Sequence, residues 1–286
     1  MVPAPLVYGA GAMAPLRAGR SRPGGRLFLW RQSRGARLNR PMFELTLDGP
    51  VARLRLDRPE ARNAIRVDDW SLLARRCGEA VTSGARLLII TGSRQAFCAG
   101  ADLADFPAFT ADPERAADFR RRMRAGLDSV RALAIPTVAA IEGPCYGAGV
   151  ALAMACDVRV AGEGARFAIT PAKFGISYPQ EDVARLVALV GPGQASRLLL
   201  GAAVIDSAEA ARIGLVELLA PGIGPVLDGL AEAMIANSAH SIAVLKRAVR
   251  LAEEGRGRDE AQDRSFDESF GSEEFRRRLA ALRPPR

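Results

Sequence analysis

The stretch that most constrains the fold runs from residue 137 to residue 157. Small and β-branched residues at 137–141 predict a buried strand, Gly143-Pro144 breaks it, and the apolar residues from Gly147 suit a helix of about two to three turns. The first N–H groups of a helix have no partner inside it and lie at the positive end of its dipole, so they can hold a negative charge. A tightly packed buried helix is the other interpretation of the same small residues.

A second turn of the same kind lies upstream. Residues 87–92 predict another buried strand, and the loop Phe97-Cys98-Ala99-Gly100-Ala101-Asp102-Leu103 follows soon after it. Two strand-to-turn units can direct backbone donors at one point. Two N–H groups on one oxygen form an oxyanion hole, and losing one such donor typically costs ~3 kcal/mol of activation barrier.

These two motifs resemble those of the crotonase superfamily, also called the enoyl-CoA hydratase/isomerase family. The resemblance rests on the loop at 97–103, on Gly143-Pro144-Cys145-Tyr146-Gly147-Ala148-Gly149 some forty residues later, and on Ala155-Cys156-Asp157 after it. It covers the chain from about residue 43 to the C-terminus. It implies an α/β fold, a crotonase-type spiral of ββα turns with a C-terminal helical region, assembled as a homotrimer or hexamer.

The resemblance also implies the substrate, an acyl-CoA thioester, with coenzyme A as part of that substrate and no other cofactor or metal. The thioester oxygen would be held by the N–H groups of Ala101 and Ala148. Many members have glycine at the second position, but only its N–H is used, so alanine fits. Asp102 is expected to cap the turn that follows it rather than to serve as a catalytic acid. The residues expected around the substrate in these two motifs are Ala99, Gly100, Asp102, Leu103, Tyr146 and Gly147.

The loop at 57–65 is similar to the family's Arg-Pro-x-x-x-Asn-Ala segment. That likeness implies that its backbone, including Ala64, lines the CoA channel. Arg58 and Arg62 are candidate ligands for the phosphorylated end of CoA. Ordinary solvated loop charges are the alternative for either residue.

The two glutamates with which hydratases of this family hold and deprotonate water fall, by the same likeness, on Ala151 and Pro171. Neither residue can transfer a proton, and general base catalysis needs a titratable group within reach of the reacting atom. Glu181 or Asp182 could substitute, although no sequence argument places either one at the site.

The loop at 167–178 looks like that of the methylmalonyl-CoA decarboxylase branch of crotonases, with Thr-Pro followed by Gly-x-x-Tyr. The likeness extends to residues 241–246, and it implies roles for Thr170 and Tyr178 at the acyl end. The chain departs from the branch at Ala101, where the branch has a histidine, and at Ala151, where it has a glutamate.

Loss of CO2 from a malonyl-type thioester forms an enolate without a base, so oxyanion donors, an oriented carboxylate and a proton donor suffice. The first hypothesis is therefore a carboxyacyl-CoA decarboxylase or related lyase in acyl-CoA or fatty acid metabolism. A hydratase or isomerase with a rearranged acid–base group is the second, and a non-catalytic CoA-binding scaffold is the third.

The net charge of +8 does not indicate a nucleic-acid surface. Eight arginines and no acidic residue lie in residues 1–41, and the remaining 32 basic residues balance the 32 acidic ones. No apolar run approaches the ~20 residues that cross a membrane, so no membrane partner is expected. The four cysteines lack metal spacing and indicate reduced core thiols of a cytoplasmic-type compartment.

The sequence predicts three regions. Residues 1–41, rich in Gly, Pro, Ala and Arg, are expected to be disordered. Three explanations for this segment remain open: an organellar transit peptide, a basic interaction arm, or an extension translated from an upstream start codon. Residues 42–224 would form the spiral core, and 225–286 a helical trimerisation region. Further elements are predicted as strands at 43–47, 51–56, 158–161, 166–169 and 215–219, and as helices at 68–83 (capped by Asp68), 114–133, 183–190, 194–200 and 208–213.

Overall fold

A computed structural model describes residues 41–93 and 95–282. The predictions made for residues 1–40 lie outside this part of the chain. The described residues form an α/β fold with a largely parallel sheet, as predicted.

Nine strands of the described chain form two sheets. The larger has the order β1-β2-β3-β4-β6-β9, antiparallel between β1 and β2 and parallel elsewhere. The smaller has the order β5-β7-β8, parallel between β5 and β7 and antiparallel between β7 and β8. The strands are β1 Phe43–Asp48, β2 Val51–Leu56, β3 Leu87–Gly92, β4 Thr137–Ile141, β5 Pro144–Tyr146, β6 Val158–Gly162, β7 Arg166–Ala168, β8 Ile205–Asp206 and β9 Leu218–Ala220.

Helices connect and cover these strands. They are α1 Asp69–Thr82, α2 Pro107–Ala111, α3 Pro113–Arg131, α4 Ala148–Ala155, α5 Gln180–Gly201, α6 Ser207–Arg212, α7 Ile223–Ala236, α8 Ala239–Glu253, α9 Glu260–Gly271 and α10 Glu273–Ala281. Short 3₁₀ turns occupy Pro59–Ala61, Leu103–Asp105 and Pro171–Phe174. Over residues 41–93 and 95–282, no helix combines the length and apolar character needed to cross a membrane.

The central strands β3 and β4 of the larger sheet are buried on both faces. Successive side chains of a strand point to opposite faces, and Leu88 and Ile90 of β3 pack into the main core while Leu87 and Ile89 pack into a second cluster. Helices α1, α3 and α4 contribute to the main core, and α7 contributes Leu227 and Ala231 to the second. This two-sided burial explains why β3 reads as a continuous apolar run.

Several predicted elements are confirmed, including the hairpin of β1 and β2, strand β4, and the helix that begins at Ala148. The prediction that Asp68 caps α1 is wrong. Asp68 precedes the helix, but it has helical φ and ψ, and its side chain makes no capping hydrogen bond. The predicted helices at 183–190 and 194–200 lie within α5, interrupted at Gly191. The last predicted strand begins three residues later than expected, at Leu218.

The C-terminal residues are helical, as expected, but α7 belongs to the sheet layers. It starts at Ile223 and covers the second face of the larger sheet, so the proposed boundary after residue 224 falls inside it. Helices α9 and α10 bury no residue and carry exposed phenylalanines. Their role in trimerisation stays a prediction.

Candidate active site

The two motifs at residues 97–103 and 143–149, called here the two glycine turns, are joined by hydrogen bonds centred on Cys98. The Cys98 N–H donates to the carbonyl oxygen of Pro144 at 3.0 Å, and the Cys98 carbonyl accepts from the Tyr146 N–H at 2.9 Å. This pairing, a parallel bridge between Cys98 and Cys145, carries residues 99–101 alongside residues 146–148.

Two glycines permit the close approach of the turns. A β-carbon on Gly149 would lie 2.5 Å from the Cys98 carbonyl oxygen, closer than any real side-chain contact. A β-carbon on Gly100 would lie 2.9 Å from the Tyr146 carbonyl oxygen and 3.4 Å from the Ala148 nitrogen, and Gly100 has φ +106°. The backbone that leads into Ala101 therefore passes directly beside the Ala148 amide.

The amides of Ala101 and Ala148 donate to no acceptor within the described part of the chain. Their neighbours are bonded: Gly147 N–H donates to Ala168 at 2.9 Å, and Asp102 N–H donates to Ile65 at 2.9 Å. Ala148 is the first residue of α4, where an amide has no partner inside the helix. Two neighbouring donors are thus left available to a ligand.

Asp102 is held in place and caps its turn, as expected. Its carboxylate accepts from the Ala104 N–H at 3.0 Å and from the Arg58 guanidinium, which also donates to the Ala64 carbonyl at 3.1 Å. Burial alone would raise the pKa of Asp102, but the Ala104 amide and Arg58 hold it below the ordinary value. The carboxylate stays ionised and joins the two loops, while any contact of Arg58 with CoA phosphates stays a prediction.

Arg62 differs from Arg58. Its side chain is exposed, and within residues 41–93 and 95–282 it has no ion pair or side-chain hydrogen bond. Its carbonyl accepts from the Ala99 N–H at 2.9 Å, and its backbone is left-handed with φ +50°. The Arg62 guanidinium is therefore free to meet an anionic ligand.

Asn63 organises the site, and the sequence reasoning did not identify it. It is fully buried, and its amide nitrogen lies 3.2 Å from the Ser93 carbonyl, 2.8 Å from that of Ala96 and 3.3 Å from that of Phe97. Its Oδ1 accepts from the Arg58 N–H and the Ser93 hydroxyl, each at 3.0 Å. Its place in the Arg-Pro-x-x-x-Asn-Ala likeness was the available signal, and asparagine is a residue type that tolerates the φ of +59° observed here.

The smaller sheet brings the segment that follows β7, beginning near Thr170, beside the start of α4. Tyr146 of β5 pairs with Ala168 of β7, so Ala148 and Thr170 each lie two residues beyond the pair. The Thr170 hydroxyl makes no hydrogen bond with the described residues and Thr170 is half-buried. Pro171 opens the 3₁₀ turn that follows.

Tyr178 reaches the start of α4. Its hydroxyl donates to the Gly147 carbonyl at 3.0 Å. Burial raises the pKa of Tyr178 well above the ordinary value, the nearby Asp182 charge adds to the shift, and the Ala151 amide opposes it. The phenol stays protonated at neutral pH, so it can donate a proton but cannot act as a base.

The other predicted residues occupy three environments. Ala151 is buried in α4, Tyr146 and Ala99 are half-buried, and Leu103 is exposed two residues after Ala101. Asp182 is fully buried and pairs with Arg124 at 2.9 Å, and burial raises its pKa.

Glu181 is exposed. All four cysteines are buried and unpaired, as expected. Among residues 41–93 and 95–282, no cluster of His, Cys, Asp and Glu is placed to hold a metal.

Comparison with known proteins gives one consistent family. The model of the family described as Enoyl-CoA hydratase/isomerase matches residues 47–280. The chain is 33% identical over 240 residues to the Mycobacterium tuberculosis protein named "Probable enoyl-CoA hydratase echA6", covering 82% of this chain and 92% of that one.

Two solved structures share the fold. An enoyl-CoA hydratase/isomerase family protein from Hyphomonas neptunium superposes with TM-score 0.80 at 34% identity, over 86% of this chain and 98% of that one. A Thermobifida fusca protein described as an enoyl-CoA hydratase, solved in complex with CoA, superposes with TM-score 0.69 at 30% identity, over 85% and 94% of the two chains.

Proposed function

The chain belongs to the enoyl-CoA hydratase/isomerase family, and from that premise we propose that it decarboxylates a carboxyacyl-CoA thioester through an enolate. One observation carries this proposal: the adjacent amides of Ala101 and Ala148 have no acceptor among the described residues, and positions 151 and 171 hold no ionisable group. The site therefore offers stabilisation of an oxyanion without a base.

Decarboxylation suits such a site because it generates the enolate by itself. The electron pair of the bond between the α-carbon and the carboxylate moves into the thioester, CO2 leaves, and negative charge builds on the thioester oxygen. The amides of Ala101 and Ala148 would hold that charge, and each such donor is worth ~3 kcal/mol in transition-state stabilisation.

The α-carbon must then receive a proton. Tyr178 is the proposed donor, since its phenol is kept neutral and lies at the start of α4. Its hydroxyl would turn from the Gly147 carbonyl towards the α-carbon and regain a proton from solvent. Thr170, with a hydroxyl that no described residue engages, would hold the departing carboxylate out of the thioester plane.

A second candidate, hydration or isomerisation with a rearranged acid–base group, is favoured by the name of the M. tuberculosis relative. It requires a base near the α-carbon. Of the two candidates that the sequence offers, Glu181 is exposed, and the Oδ1 of Asp182 pairs with Arg124.

The deciding experiment incubates the pure protein with methylmalonyl-, ethylmalonyl- and malonyl-CoA and measures CO2. Release of CO2, reduced at least tenfold in Tyr178→Phe and in Thr170→Val, supports the proposal. No release from any thioester, together with hydration of crotonyl-CoA, would establish the second candidate. Tight CoA binding without turnover of any thioester would leave a binding scaffold.

A further inference from the structure

Cys98 contacts both glycine turns through separate groups. Its N–H and carbonyl bond the Pro144–Tyr146 strand, and its β-carbon lies 2.9 Å from the point that a side chain on Gly149 would occupy. Its sulfur accepts a hydrogen bond from the Gly100 N–H, with a nitrogen–sulfur distance of 3.4 Å. Cys98 is fully buried, and burial raises the pKa of its thiol to about 12, so the sulfur is a neutral acceptor.

The Cys98 sulfur is hydrogen-bonded to Gly100, and the conformation of Gly100 determines where the Ala101 N–H points. The Gly100 carbonyl and the Ala101 N–H belong to one planar trans peptide and face opposite ways. That carbonyl accepts from the Ile65 N–H at 2.8 Å, so the Ala101 N–H points away from Ile65. The sulfur bond fixes the other end of Gly100, a residue whose lack of a β-carbon permits the φ of +106° and leaves its backbone otherwise free to rotate.

We propose that Cys98 is a positioning residue of the oxyanion hole, whose sulfur, by accepting the Gly100 N–H, aims the Ala101 N–H at the thioester oxygen. This inference rests on the proposed function only in so far as an acyl-CoA thioester binds between the amides of Ala101 and Ala148. It does not depend on which reaction follows.

Binding of two CoA derivatives can report the hydrogen bonds from the Ala101 and Ala148 amides without any catalytic turnover. Butyryl-CoA labelled with 13C at the carbonyl has the oxygen that the amides would hold, and S-butyl-CoA lacks it. The ratio of their dissociation constants and the infrared frequency of the bound carbonyl both report the hydrogen bonds to that oxygen. The wild-type protein is expected to bind butyryl-CoA more tightly and to lower its carbonyl frequency.

Cys98→Ala removes the acceptor and is expected to reduce the preference for butyryl-CoA about fivefold, the size of one weakened hydrogen bond. It should also reverse most of the frequency shift while S-butyl-CoA affinity stays within about twofold. Cys98→Ser keeps an acceptor and should retain both signals, and Cys98→Val is a second acceptor-free variant should the alanine variant not fold. Cys77→Ala, which removes another buried thiol in α1, is the matched control and should change neither signal.

The outcomes separate the two proposals. An unchanged preference and frequency in Cys98→Ala, or equal losses in the alanine and serine variants, would overturn the role of the sulfur. A wild-type protein that leaves the carbonyl frequency unshifted would remove the oxyanion hole and this inference together. A shifted carbonyl in a protein that releases no CO2 would refute only the proposed reaction.

Discussion

The carbonyl oxygen of Cys98 lies 2.5 Å from the position that a β-carbon on Gly149 would occupy. Alanine normally stabilises a helix over glycine by ~1 kcal/mol. Here the methyl group would push α4 away from the upstream turn, and overpacking of this kind costs ~1–3 kcal/mol. We expect Gly149→Ala to lower the free energy of unfolding in urea and to abolish thioester binding.

Gly78 supplies the matched control. It lies inside α1, is exposed, and a β-carbon there would meet no atom within 4 Å. Gly78→Ala is expected to raise the free energy of unfolding by ~0.5–1 kcal/mol. If both substitutions stabilise the protein, the two turns do not meet as described.

Asn63→Ala is expected to lower the free energy of unfolding by about 3 kcal/mol, because three buried carbonyl groups and the Ser93 hydroxyl would lose their shared partner. Arg62→Ala is the control, since position 62 is also left-handed but its side chain is exposed. It should change stability by less than ~0.5 kcal/mol. Equal effects at both positions would attribute the loss to backbone strain rather than to the Asn63 hydrogen bonds.

Arg62→Ala should weaken CoA binding several-fold, because its guanidinium is exposed and engages no described side chain. Calorimetry would compare CoA with an acyl-pantetheine, which lacks the phosphates of the nucleotide end. The loss should be confined to CoA and should shrink at high salt, as screening predicts. A similar loss for both ligands would place Arg62 away from the phosphates.

Tyr178 is expected to stay protonated in the folded protein at pH values where an ordinary tyrosine, with a pKa of about 10, ionises. A raised folded-state pKa stabilises the fold fully below about pH 10, and that contribution is lost as the pH rises towards the folded-state pKa. Tyrosinate absorbance at about pH 10.5 should therefore be equal in wild type and Tyr178→Phe while folded, and should differ by one tyrosine after unfolding in urea. A difference in the folded state would contradict the burial of the phenol.

The C-terminal helices should mediate self-association. Phe266, Phe270 and Phe275 form edge-to-face contacts, yet Phe266 is 64% and Phe270 is 56% exposed. Sedimentation is expected to give three or six times the chain mass of 30.4 kDa, and Phe266→Ser with Phe270→Ser to reduce it. A monomeric wild-type protein would contradict the predicted trimer.

Local sequence patterns allowed correct prediction of the elements that show a strong hydrophobic periodicity or a continuous run of apolar residues. Strand β4 and helix α4 follow directly from residues 137–155. Strands β5 and β8 have three and two residues, and α2 has five, which is too short for a period to show. Those elements went unpredicted.

Contacts between distant residues could not be predicted in the same way. Asn63 bonds groups thirty or more positions away, and Tyr178 meets Gly147 thirty-one positions upstream. Which amides remain unbonded depends on all such contacts together. The positions of Ala101 and Ala148 came from family likeness, whereas the absence of an acceptor for either amide in the described chain required the structure.

The donors of the two turns are peptide groups, which every amino acid carries. Under the proposed function, the side chains at positions such as 151 and 171 can therefore change, here to alanine and proline, without removing the groups that would hold the thioester oxygen. A protein with these backbone donors could therefore keep its affinity for acyl-CoA compounds while changes in the surrounding side chains alter the reaction that it catalyses.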